Sequence, residues 1–188
     1  GLKLYSDLSG EISFQSAGVT KAGVNATGLT GDGSQLTGLP AAGNGPAFRA
    51  YLSSNQGITA GVFTKVAYNT EEFDTASAYD NATYRFLPLV AGYYQINYSA
   101  AVESTATVTR VFVELYKNGS SYERGAYMTT VSGTEQTLQC SSLVYFNGSS
   151  DYLEVYQRQD GGSSNNIRAI YGTGPRPTSF SGFLARVA

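Results

Sequence analysis

The chain has 188 residues, with twelve lysines and arginines against fourteen aspartates and glutamates, no histidine and a net charge of −2. That length holds one well-buried domain and a modest appendage but not two ordinary domains, and charge so sparse and balanced excludes a phosphate-binding surface and with it a nucleic-acid partner. The absence of imidazole removes the commonest general base, the histidine-dependent triads and the usual zinc sites.

In chain order, Gly1-Leu2-Lys3-Leu4 begins no signal peptide, and no apolar run approaches the ~18 residues of a membrane span, so no membrane insertion is expected. Residues 1–45 are glycine-rich, with glycines at 18, 23, 28, 33, 38 and 43 and aliphatic residues following most of them (Val19, Val24, Leu29, Leu39). A flexible linker is one reading of this composition. The preferred expectation is an extended trimeric stalk. A lone chain so poor in apolar bulk cannot offset its ordering entropy, whereas three intertwined chains can, with glycine allowing close backbone approach. No Gly-X-Y triplet repeats, so the segment is not collagen.

From Pro46 onward the pattern is β. Period-two alternation runs through Tyr94–Ala100, puts Val111, Val113 and Leu115 on one side of Arg110–Lys117, and recurs with Leu153 and Val155. Asn118-Gly119, Asn147-Gly148 and Gly161-Gly162 read as turns. No helical period is present, and short strands separated by turn chemistry predict a sandwich or jelly roll.

Catalytic chemistry is thin along this stretch. Cys140 is the only cysteine, which forbids an intrachain disulfide. In the run Leu138–Val144 it reads as a small buried hydrophobe, and a fold without disulfides leans toward assembly in a reducing cytosol. The acids are scattered: Glu71-Glu72 are expected in a loop and Glu114 and Glu154 on strands, all as solvated or edge-strand charges. No carboxylate pair suggests a glycosidase, so no enzyme is expected. No cofactor is expected either, calcium aside, for which Asp80, Asp151 and Asp160 are candidate ligands although no spacing demands an ion. Asn-x-Ser/Thr triplets at Asn25, Asn81, Asn97, Asn118 and Asn147 read as coincidences of a polar composition.

Six fragments in order then resemble the complement C1q globular-head family. They are Pro46-Ala47-Phe48-Arg49-Ala50; Tyr79-Asp80-Asn81-Ala82-Thr83-Tyr84-Arg85-Phe86; Pro88-Leu89-Val90-Ala91-Gly92-Tyr93-Tyr94; Leu115-Tyr116-Lys117-Asn118-Gly119; Asp151-Tyr152-Leu153-Glu154-Val155; and Phe180-Ser181-Gly182-Phe183-Leu184. Two positions depart from the family pattern: Tyr84 replaces a usual glycine, and Ser150 stands where a glycine often precedes the aspartate. The resemblance covers about residues 46–188 and implies a ten-stranded all-β jelly roll, a homotrimer, and both ends of the head at one pole. Gly31–Pro40 also resembles segments of bacteriophage tail fibres.

Strand parity under this scheme assigns residues 53–60, 103–109, 131–135 and 159–178 to the opposite pole, the tip. The last is the longest loop and carries the expected receptor-binding residues Asp160, Asn165, Asn166, Arg168, Tyr171 and Arg176. Amides and guanidinium groups suit sugar hydroxyls and carboxylates, and tyrosine suits a sugar face. The expected function is a non-enzymatic, trimeric receptor-binding tip of a phage tail fibre in the virion. Its expected partners are a host-surface glycan or outer-membrane component and an upstream tail-fibre or baseplate protein. The alternative is a secreted or cell-surface recognition and adhesion protein.

Overall fold

The computed structural model describes residues 45–103, 108–131, 135–161, 165–169 and 175–188, together with 12–16, 19–25 and 28–31; for the N-terminal segments and for residues 130, 131, 135 and 165 it describes the backbone alone. The chain divides into two units, Gly1–Asn44 and Gly45–Ala188.

In the first unit β1 (Ile12–Ser16), β2 (Val19–Asn25) and β3 (Gly28–Gly31) form a three-stranded antiparallel sheet. The described residues of this unit therefore fold back twice. Val24 pairs with Ile12 on one side and with Leu29 on the other. Pairing within the chain satisfies backbone groups that a lone extended strand would leave to its neighbours.

The described residues of the second unit contain strands and no helix. The strands are β4 (Ala47–Tyr51), β5 (Gln56–Ile58), β6 (Thr64–Lys65), β7 (Thr70–Asp74), β8 (Tyr79–Asp80), β9 (Arg85–Phe86), β10 (Gly92–Glu103), β11 (Val108–Lys117), β12 (Ser120–Val131), β13 (Glu135–Phe146), β14 (Leu153–Asp160), β15 (Asn165–Arg168) and β16 (Ser179–Val187). They build two antiparallel sheets packed as a jelly roll. The β10 sheet runs β5–β15–β10–β16–β4–β7, with β13 on the other flank of β10; the β11 sheet runs β12–β11–β14–β9–β8, with β6 also against β14. Segments outnumber ten because β6, β8 and β9 are only two residues long.

Alternation explains the burial. Tyr94, Ile96, Tyr98, Ala100 and Val102 on β10 face Val111, Val113 and Leu115 on β11, and all are buried. The family-like fragments turn out to be the aromatic core. Phe48 stacks on Phe86 at 4.2 Å and meets Phe180 edge-on at 4.9 Å, while Tyr94 meets Phe146 edge-on at 5.1 Å. Such pairs add about 0.5–1.5 kcal/mol each beyond their buried area. The glycine of Phe180-Ser181-Gly182 is required by contact, since a Cβ there would lie 2.7 Å from Ile96 and 3.1 Å from the Phe48 ring.

The turns follow their residues. Asn118 and Gly119 both hold positive φ (54° and 78°) between the paired residues Lys117 and Ser120, the geometry of a two-residue hairpin. Tyr84, where a glycine is usual, sits at φ +58°. Ser150 is accommodated differently: Gly148 supplies the positive φ of 72°, and the Asn147 side chain accepts hydrogen bonds from the Ser149, Ser150 and Asp151 amides.

Four carboxylates differ from expectation. Glu71 and Glu72 lie not in a loop but on β7, an edge strand held to β4, where Glu72 pairs with Arg49 at 3.3 Å. Glu114 and Glu154 are neither solvated nor on edge strands but buried, on the outer face of the β11 sheet, Glu114 balanced by Arg124 and Glu154 by Lys65 and Arg85.

Candidate recognition surfaces

The chain enters the head at Gly45 and Pro46, whose carbonyl accepts from Leu184, and Ala188 bonds Ala91; both ends of this unit lie at one pole, the base. At the opposite pole Glu103 pairs with Glu135 and Asn166, Val108 with Val131, and Arg110 with Asp160. The described parts of the four segments assigned to the tip therefore converge. They are less loop-like than anticipated, because Gln56–Ile58 form β5, Gln159 and Asp160 end β14, and Asn165–Arg168 form β15. Ile167 is fully buried and pulls its neighbours into the ladder.

This convergence separates the six candidate residues. Asn166 and Arg168 stay together: Arg168 ion-pairs with Glu103, whose other oxygen accepts from Asn55 at 3.3 Å. Asn55 in turn accepts from the Ala169 amide at 2.9 Å, and Thr178 binds the Arg168 carbonyl at 2.5 Å. Asn165 takes its place in β15 opposite Ile58. Arg176 lies elsewhere, its guanidinium 3.8 Å from the Tyr51 ring centroid. Asp160 is on the other sheet, bound by Arg158 at 2.8 Å and Arg110 at 2.7 Å. Tyr171 lies outside the described residues. Glu103 and Asn55, which organise the tip, lay inside the expected tip segments, yet nothing in their local sequence signals partners 65 and 48 positions away.

The three calcium candidates also have protein partners. Asp80 accepts from the Thr83 hydroxyl at 2.6 Å and the Ala82 amide at 2.8 Å, which hold its carboxyl below the ordinary range. Burial pushes the Asp151 carboxyl up, but Asn118 and Lys117 more than reverse that and leave it low. Among the described residues no three acidic, cysteine or histidine side chains gather as a metal set. Burial raises the Cys140 thiol, and its sulfur accepts from the Ala126 amide, which makes it a poor nucleophile.

Two broad faces remain. The outer face of the β10 sheet carries an apolar band near the base: Tyr93, Leu143, Tyr145, Phe183 and Val187 are each about half exposed. Leu143, Gln95 and Phe183 lie side by side across β13, β10 and β16. A groove of ≈ 540 Å³ runs beside them, and toward the tip the face turns to hydroxyls and amides, including Asn97, Gln139, Ser141 and Ser181. The outer face of the β11 sheet instead alternates rings with ion pairs. Tyr116 stacks on Tyr156 at 4.0 Å, the Phe112 and Tyr127 rings meet at a tilt with centroids 5.1 Å apart, and Arg85 covers Tyr152 at 4.3 Å.

Residues 47–185 match the family model of the C1q domain, and the chain belongs to that family. A solved structure, the globular domain of zebrafish complement 1qA protein, superposes with a TM-score of 0.50 at 13% identity, covering 76% of this chain and 99% of that one. No curated protein matches the sequence. The family assignment agrees with a role in recognition or adhesion.

Proposed function

We propose that this chain is the trimeric receptor-binding end of a bacteriophage tail fibre, gripping a host-surface glycan or outer-membrane component without converting it. The observation that carries the reading is the apolar band on the β10 sheet. Half-exposed Tyr93, Leu143, Tyr145, Phe183 and Val187 on adjacent strands are a face that a second copy covers. Three copies joined this way present three tips at once, so that avidity replaces single-site strength. The resemblance of Gly31–Pro40 to tail-fibre segments supports the virion setting. An extracellular recognition protein is the second reading, supported by the likeness to the complement 1qA globular domain.

The test applies labelled protein to intact bacteria, alongside an Arg168→Ala, Tyr171→Ala variant confirmed as a trimer by sedimentation. Binding by the parent that the variant loses is the expected result. Equal binding by both removes the tip as the contact. Binding to animal cells or matrix but to no bacterium decides for the second reading.

A further inference from the structure

Around Phe112, on the outer face of the β11 sheet, three arginines and a tyrosine converge. Arg124 lies 4.8 Å and Arg110 5.6 Å from the Phe112 ring centroid, the Tyr127 ring lies 5.1 Å away, and Arg158 is the cross-strand neighbour. The ion pairs here are lopsided toward solvent. Arg124 donates through Nε to Glu114 at 2.6 Å; the arginine is 59% exposed and the carboxylate 3%. Arg158 does the same to Asp160 at 2.8 Å, and Arg110, about half exposed, reaches the other Asp160 oxygen. The acids lie beneath and the guanidinium groups above, so solvent meets cations on a protein whose net charge is negative.

Two consequences follow. The guanidinium groups are already anchored by carboxylates and rings, so less rotamer freedom is lost when they bind an acceptor. Three guanidiniums over two carboxylates leave only a small positive excess. That is too weak to hold a dense polyphosphate by counterion release, but sufficient for directional pairing with isolated carboxylates. Tyr127, half exposed beside them, offers an aromatic face to a sugar ring.

We propose that this cluster binds an acidic polysaccharide, with Arg110, Arg124 and Arg158 receiving uronate carboxylates and Tyr127 stacking on a pyranose face. The site shares Asp160 with the tip candidates but lies on the other sheet from Arg168, and it stands or falls separately from the receptor-binding reading.

The test is affinity electrophoresis of the full chain through gels containing polygalacturonate, its fully methyl-esterified form, or double-stranded DNA. Polygalacturonate is expected to retard the protein and the ester is not. Because removing Arg124 outright leaves Glu114 buried without a cation, the variants are Arg124→Lys with Arg158→Lys, which keep the charge, and separately Tyr127→Ala. The lysine pair is expected to weaken binding about tenfold or more, the loss that follows when charge-assisted hydrogen bonds are given up, with an unchanged thermal midpoint. The tip variant Arg168→Ala, Tyr171→Ala keeps full retardation. No retardation by polygalacturonate, equal retardation by the ester or by DNA, or undiminished binding by the lysine pair overturns the proposal.

Discussion

Tyr84 shows how a single side chain departs from its family at a cost. Its φ of +58° is the left-handed conformation that costs an L-residue about 1–2 kcal/mol and glycine almost nothing. The backbone is held there because the Tyr84 amide donates to Asp80 at 2.7 Å, closing the turn between β8 and β9. Tyr84→Gly is expected to stabilise the head by about 1 kcal/mol, read as a higher urea midpoint at unchanged slope. A lower midpoint would mean that the half-buried ring contributes more packing than the turn loses in strain. This position was legible in sequence, as were Phe48, Phe86, Tyr94 and Phe180, because the motif residues are themselves the core. Glu114 and Glu154 were not legible as buried ions. A carboxylate on an alternating strand looks solvated until its cations are known, and those of Glu154 lie 89 and 69 positions away.

Among the elements, β14 is the one most dependent on such an ion. It carries Glu154, which accepts from Lys65 on β6 at 2.6 Å and from Arg85 on β9 at 2.7 Å, so one carboxylate joins three strands. Burial alone would raise this carboxyl, but the two cations overcome it and hold it below the ordinary value. A depressed folded-state value means that the stabilisation is complete above the unfolded value of about 4.3 and is lost as pH falls through the folded one. Glu154→Gln is therefore expected to cost about 2–3 kcal/mol at neutral pH. The gap to the parent should begin to narrow as pH falls below about 4.3 and close only below the depressed folded-state value, where the parent carboxyl is also neutral. Urea unfolding of both proteins at neutral and acid pH checks this, and a gap that stays constant with pH would assign the loss to packing. At this scale β15 escaped detection. Asn165–Arg168 holds one apolar residue, Ile167, and a strand with a single inward side chain shows no alternation to read.

At the scale of the whole molecule the sandwich leaves one side apolar. Leu143 is 58% exposed, so Leu143→Asp removes little from the protomer core, yet it sets a charge in the middle of the proposed contact between copies. Sedimentation equilibrium is expected to show three times the 19.9 kDa protomer mass for the parent and a single protomer for the variant, with unchanged far-ultraviolet dichroism. A parent that sediments as one folded protomer would remove the assembly and the avidity argued from it. The jelly roll was legible at this scale because its anchors come in order along the chain. Which face holds partners and which stays open was not, since exposure belongs to the folded sheets and not to any one stretch of residues.

The acidic edge strand has a consequence for crowding. Every open sheet margin is a template on which another strand can grow. Here β7 closes the β10 sheet with Glu71, Glu72 and Asp74 along that margin. Two such margins brought side by side repel before their backbones can zip together. Heads crowded together at high local concentration can therefore jostle without polymerising into fibrils.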